Sequence, residues 1–286
     1  MANQTPTDAW WRKPRRSRDL AGAIWAKVDA IRTRRREDNL DDLLNEAIYL
    51  GRALGRNSGG RMAREQRTAP YTTINIVQAK VDALCARMSK HRPFPIIGAE
   101  DSTYTEKRFA KRISTVLRAK LGAQEIERDN MLRVRDACVR GTGVAKVVCV
   151  ERGGKMDVGV ERVPRSEVIV GSRDAMYGRP RCVYHIRSYP LEVLCARYPA
   201  KVHDKLAALA TTNSYDSDEW YPWGDDWADD SLTVKLIEAW HLRSGCDADD
   251  GRRVLVGQDL VLEDEEYERP RHPFALLHYS PPMQGW

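Results

Sequence analysis

Six histidines, six cysteines, scattered carboxylates and three arginine-rich runs are the side chains of this chain with chemistry to offer. Proton transfer or metal binding needs such groups brought together, and metal ligands usually sit at short helical or knuckle spacing. His91, His185, His203, His241, His272 and His278 are dispersed, and no HExxH pair occurs. His272 and His278 flank a predicted strand, where a packed or surface role accounts for them without a metal. The acidic stretch Glu263–Glu268 could hold a hard cation, but it lacks the glycine-turned ligand alternation of a calcium loop and reads as a solvated acidic loop. Gly153-Gly154-Lys155 lacks the upstream glycine of a phosphate-binding loop and is followed by Met156 rather than Ser or Thr. Gly141-Thr142-Gly143 follows a predicted helix and precedes a predicted strand, the reverse of a dinucleotide-binding loop, so a helix C-cap accounts for it. There is no GxSxG elbow. His185, Asp174 and Glu167 could be assembled into a proton-transfer site only by the fold, since nothing in their spacing favours it. No catalytic, cofactor-binding or metal-ligating set emerges, and an enzyme is not expected.

The arginines carry more information. Arg12, Lys13, Arg15, Arg16 and Arg18 crowd the first eighteen residues, Arg34, Arg35 and Arg36 follow Arg32, and Arg61, Arg64 and Arg67 form a third group. Such clusters neutralise phosphates, and Trp10-Trp11 could stack on bases. Cations at a helix C-terminus are also stabilised by the helix dipole, which explains Arg32 to Arg36 equally well. With no zinc-finger spacing, heptad zipper or RNA-binding aromatic signature, sequence-specific reading is unsupported. A nonspecific contact to double-stranded DNA, or to an acidic neighbour, is the function left for Arg12, Lys13, Arg15, Arg16, Arg18, Arg34, Arg35 and Arg36.

The chain of 286 residues is 42% hydrophobic, enough for a packed core in one large or two modest domains. No apolar stretch reaches the ~18 residues of a membrane span, and the basic N-terminus has no apolar segment of a secretory signal. The cysteines do not form CxxC pairs and fall mostly in apolar stretches, which predicts reduced, buried thiols and an intracellular protein. The net charge of +6 conceals an asymmetry: residues 1–70 carry an excess of +6, residues 71–210 of +11, and residues 211–286 of −11. A basic body joined to an acidic end suits polyanion contact or association between unlike faces.

The elements that would position these residues are legible as an α+β order, helices first and a β-rich portion with hairpins after. Residues 1–18 read as a basic flexible arm, 19–140 as helical and 141–286 as β-rich. Leu20, Ile24, Val28 and Ile31 predict an amphipathic helix. A second helix is expected from an N-cap at Asn39, with Leu40, Leu43, Leu44, Ala47 and Ile48 on one side. The strongest spacing, Ile74, Val77, Val81, Leu84, Cys85 and Met88, predicts a helix from about Tyr71 to Lys90. Further helices are expected from Thr105 to Leu121, with Phe109, Ile113, Val116, Leu117 and Leu121 inward, and from Gln124 to Arg140. Strands are predicted at Val144–Val150 and Met156–Val163 around a Gly153-Gly154 turn, then at Val168–Val170, Cys182–Ser188, Leu232–Arg243, Arg252–Val256, Asp259–Glu263 and Phe274–Tyr279, with a helix at Leu191–Tyr198. Residues 211–231 place Trp220, Trp223 and Trp227 among carboxylates.

Segment order then suggests a family. "YTTINIVQAKVDALCARMSKHRPFPIIG" resembles the opening of the portal proteins of tailed bacteriophages, where an extended lead-in, an Asn and a long helix reach a basic-Pro stretch. "RDACVRGTGVAKVVCVERGGKMDVGVERVPRSEVIVGSRD" is similar to the portal segment in which a helix ends at G-x-G and a hairpin leads to V-P-x-E-V-x-V. "RPRCVYHIRSYPLEVLCARYP", "VKLIEAWHL" and "RHPFALLHYSPPMQGW" resemble, in the same order, the strand-helix element, the strand pair and the Pro-Phe segment before the portal stem. The resemblance covers about residues 71–286 and implies a wing-like α+β fold. It implies a structural subunit, without catalytic residues or cofactor, of a homo-oligomeric ring, typically of twelve, at one capsid vertex. Through such rings double-stranded DNA is packaged and ejected, and they meet major capsid and scaffolding proteins, the terminase and tail-connector proteins. The implied location is the virion, after assembly in the host cytoplasm, with no membrane. Family chains continue into stem, clip and crown, so this chain is expected to be the N-terminal wing portion, ending where the stem would begin. A nonspecific DNA-binding protein using the basic N-terminal region is the alternative.

Overall fold

The computed structural model describes residues 9–12, 17–51, 74–90, 95–99, 103–123, 126–171, 180–212 and 232–280. The chain forms two compact units, one of residues 1–44, 166–272 and 281–286, the other of residues 45–165 and 273–280. Both mix helices with antiparallel sheet, so the α+β expectation holds.

The first unit is a sheet covered on both faces. Its strands are β3 (Val168–Val170), β4 (Cys182–Pro190), β6 (Leu232–His241), β7 (Arg252–Val256) and β8 (Val261–Glu266), paired in that order, with β5 (Thr211–Thr212) against β6. Side chains alternate across a strand. Ile237 and Ala239 of β6 accordingly join Tyr184, Ile186, Val254 and Val256 on one face, while Val234 and Leu236 join Leu255 on the other. The first face is capped by α1 (Ser17–Arg34), whose Leu20, Ile24, Val28 and Ile31 are buried at the predicted spacing. The second face is covered by α6 (Leu191–Arg197) and α7 (His203–Leu209) through Leu194 and Leu206. Helix α7 was not expected from the sequence.

Helix α2 (Arg36–Tyr49) follows α1 after a single turn residue, Arg35, whose N–H donates to the Ile31 and Arg32 carbonyls. Asn39 therefore lies inside α2 rather than capping it.

The second unit packs α3 (Ile76–Lys90), α4 (Tyr104–Ala123) and α5 (Ile126–Arg140) with a three-stranded sheet of order β2-β1-β9, formed by β1 (Thr142–Arg152), β2 (Lys155–Val163) and β9 (Phe274–His278). Glycine is required at several places. Gly153 and Gly154, at φ 58° and 73°, make the left-handed two-residue turn between β1 and β2. Gly143 lies so close to α5 that a Cβ there would stand 2.1 Å from the Arg133 carbonyl oxygen. Gly141, at φ 76°, ends α5 as predicted.

Helix α3 begins five residues later than its apolar spacing suggests, because Asn75 caps it. The Asn75 Oδ1 accepts from the Gln78 N–H at 2.9 Å, and Nδ2 donates to the Tyr49 carbonyl at 2.7 Å. One side chain thus starts α3 and secures the end of α2. Asn75→Ala is expected to cost about 1–2 kcal/mol in chemical denaturation, with amides of the first α3 turn exchanging faster. A cost below the error of the method would leave the cap without energetic weight.

His278 gives the second unit a pH response. It pairs with Thr142 across β1 and β9, its Nδ1 3.1 Å from the threonine hydroxyl. Burial, then the Arg165 charge, holds its pKa below the ordinary 6.5. The unfolded chain therefore binds more protons than the folded one in the window just below 6.5, and stability falls as pH drops through it. The urea midpoint should fall more between neutral pH and about pH 5 in the wild type than in His278→Gln. Parallel pH profiles would contradict this.

Candidate interaction surfaces

Of the cationic residues predicted to contact a polyanion, the structure describes several in detail. Arg12 is exposed at the end of the turn Ala9–Arg12. Arg34 is exposed at the end of α1. Arg35, half-buried, donates from its guanidinium to the Val170 carbonyl at 3.2 Å. Arg18 lies in the first turn of α1 and Arg36 opens α2, but their side chains are outside the described set, as are Lys13, Arg15 and Arg16 altogether. The chain thus brings Arg34 and Arg35 side by side at the α1–α2 junction and gives them different surroundings.

Trp10 is not a base-stacking residue. It is 1% exposed, and its indole N–H donates to the Tyr184 hydroxyl at 3.0 Å. The Arg252 guanidinium donates to the Trp10 carbonyl at 3.2 Å. Trp11 stacks on the His241 ring with centroids 4.1 Å apart and 12° between planes. This pair joins the first unit's core, a role no periodicity announces in an isolated turn. Its only sequence signal was two adjacent large aromatics in a polar stretch.

Two arrangements have proton-transfer character. His185 Nε2 lies 3.1 Å from the Glu167 carboxylate, and its Nδ1 lies 3.9 Å from Glu238. The fold thus joins two of the three scattered candidates; Asp174 is outside the described residues. Cys182 Sγ lies 3.1 Å from His241 Nδ1, whose Nε2 faces Asp250 at 3.4 Å. Burial works against the Asp250 charge, but Ser244 donating from hydroxyl and backbone, then His241, hold its pKa below the ordinary value. A thiol–imidazole–carboxylate row can generate a nucleophile only where substrate reaches the sulfur. Here Cys182 and His241 are buried and the two tryptophans pack over the imidazole, so the row fastens the N-terminal turn to the sheet.

The acidic stretch Glu263–Glu268 is largely engaged. Arg253 meets Glu263 at 3.0 Å and Glu265 at 3.1 Å, Arg252 makes two bonds to Asp264, and Arg243 lies 3.6 Å from Glu268. Burial, then a hydrogen bond to Glu263, raises the Tyr198 hydroxyl well above its ordinary pKa. Among the described residues no group of three or more His, Cys, Asp or Glu is placed to hold a metal ion, and no helix is long and apolar enough to cross a membrane. The six cysteines form no disulfide; Cys149 and Cys246 are exposed, contrary to the expectation of buried thiols.

The second unit leaves apolar surface bare. Helix α4 was expected to bury Phe109, Ile113 and Val116, yet these are 64%, 37% and 61% exposed. At 100° per residue they form one arc of the helix, while Ala110, Ser114, Leu117 and Leu121 form a separate arc that turns inward. The two arcs merge into one broad apolar pattern in sequence, which is why the inward face was misplaced. A third arc carries Lys107, Arg108, Lys111, Arg112 and Arg118, all exposed. Other elements of the unit also expose apolar side chains: Ile76, Val77 and Met88 on α3, and Val147, Met156 and Val158 on the β1–β2 hairpin. An apolar helical arc flanked by charge, as on α4, marks an interface more often than a solvated face.

No curated protein matches the chain. A family model described as phage P22-like portal protein matches residues 59–269, most of the sequence. The mixed fold, the ordered segments and this match agree, and the chain belongs to the P22-like phage portal protein family.

Proposed function

We propose that this chain is a structural subunit of an oligomeric portal ring, forming wing-type structure at the capsid vertex through which double-stranded DNA is packaged and ejected. The observation that carries the reading is the bare apolar arc of α4 with its cationic flank, a surface that association would cover. In this reading residues 1–18 act as a basic arm, 19–140 as the helical part of the wing and 141–286 as its β-rich part. Its partners are further copies of itself, twelve to a ring, with capsid, scaffolding, terminase and tail-connector proteins around them. It works in the virion after assembly in the host cytoplasm and carries out no catalysis. Electron microscopy of the purified full chain over a range of concentrations tests this. Closed rings are expected, and monomers at every concentration would overturn it.

Exposed Arg12 and Arg34 favour a second role, nonspecific contact with duplex DNA, together with Lys13, Arg15, Arg16, Arg18, Arg35 and Arg36. Counterion release makes such binding fall steeply with salt. Arg12→Glu with Arg34→Glu should weaken it while leaving Trp10 in the core, and unchanged affinity would exclude these arginines.

A further inference from the structure

Two helices of this chain carry exposed apolar residues beside charges of opposite sign. On α4, Phe109, Ile113 and Val116 stand exposed one turn apart, beside Arg108 and Arg112. The helix as a whole holds six Lys and Arg against one carboxylate, Glu106. On α2, Leu40 and Leu44 stand exposed one turn apart, 57% and 44%, with exposed Asp41 beside them. That helix holds five carboxylates, Glu37, Asp38, Asp41, Asp42 and Glu46, against one arginine, Arg36; Glu46 is buried against Arg140 and takes no part in the outer face, while Asp41 is exposed on it. Each face has an apolar centre and a charged rim, the anatomy of a protein interface.

We propose that the outer face of α4 docks on the outer face of α2 of a second copy of this chain. The proposal rests on the ring reading above and names the surfaces that would meet. Leu40 and Leu44 lie across Phe109, Ile113 and Val116 as side-chain ridges, and the opposed rims set register and reject like faces. Because the two patches differ and sit on different helices, each copy offers one of each. Such a heterologous contact propagates head to tail and closes into a ring when the rotation between copies allows. Duplex DNA would satisfy the cations of α4 but would leave Phe109 and Val116 in water, and it would leave the acidic α2 face without a role. A second copy accounts for both faces at once.

Charge exchange in the full-length chain tests the pairing, read by sedimentation velocity and electron microscopy. Arg108→Glu with Arg112→Glu places like charges against α2, and Asp41→Lys with Asn45→Lys, both at exposed positions, does the same from the other side. Either pair should raise the concentration for half-assembly by about a hundredfold. The four substitutions combined in one chain should restore assembly, as should an equimolar mixture of the two reversed variants. The restored assembly also shows that the reversed chains fold. Wild-type rings that persist unchanged in both reversed variants would overturn the pairing while leaving the ring reading intact, as would loss of assembly without rescue by either route. A wild type that is monomeric throughout would remove the ring reading, and this pairing with it. If the α4 variant instead loses affinity for duplex DNA while assembling normally, α4 is a nucleic-acid face and the pairing is wrong.

Discussion

Trp10→Ala should destabilise the first unit by about 3–5 kcal/mol, the range for truncating a fully buried tryptophan. The side chain sits in the core with Leu20, Ile24 and Tyr184, so alanine leaves a cavity lined by α1 and the sheet. It also removes the indole bond to the Tyr184 hydroxyl and the ring contact with His241. Trp11→Ala should cost less, because Trp11 is only partly buried and keeps one face toward His241. Hydrogen exchange at β4 and β6 amides, with denaturation followed by circular dichroism, separates the two variants. A Trp10→Ala chain within about 1 kcal/mol of wild type would mean that the turn Ala9–Arg12 is not part of the core.

Arg253→Met is the second large effect. Arg253 donates to Glu238 at 2.7 Å, meets Glu263 and Glu265 from the same guanidinium, and lies over the Trp240 ring at 5.1 Å. Burial opposes its charge, but the Coulomb attraction of Glu238, then that of Glu263, raises its pKa above the ordinary value. Methionine keeps much of the side-chain volume and removes the charge. Glu238, buried on β6, then loses its close guanidinium partner, and breaking one side of a buried pair costs about 3–5 kcal/mol. Adding Glu238→Gln should recover part of that loss, since the neutral amide is cheaper to keep buried. Urea midpoints of the single and double variants decide it. If the double variant is no more stable than Arg253→Met alone, the cost comes from lost packing over Trp240 and not from charge.

Much of the fold was legible where one rule governs one element. The four-residue spacing of Leu20, Ile24 and Val28 has a single burial solution, and α1 adopts it. Gly153-Gly154 can be little other than a left-handed turn, and the β1–β2 register follows from it. Helix starts were less legible, because a side-chain bond and not a spacing decides them: Asn75 holds α3 back to Ile76. Burial on α2 and α4 was least legible. Leu40, Leu44, Phe109 and Val116 look like core residues to any periodicity, since apolar residues that face another subunit obey the same spacing as those that face the interior. The Trp10 contacts connect residues more than 170 positions apart, and no local pattern encodes them.

The return of β9 to the second unit has a consequence in time. Strand β1 ends at Arg152, and the strand that completes its far edge ends at His278, 126 residues later. At ~5–20 residues per second of synthesis, the ribosome needs roughly 6–25 s to deliver it. Throughout that interval β1 offers an unpaired row of backbone groups over Thr142–Lys146, a template for another chain's strand. On a crowded messenger, neighbouring nascent copies carry the same open edge. The second unit therefore completes its three-stranded sheet only once Phe274–His278 has been made, and slowing elongation between Arg152 and Phe274 should raise the yield of misassembled chains.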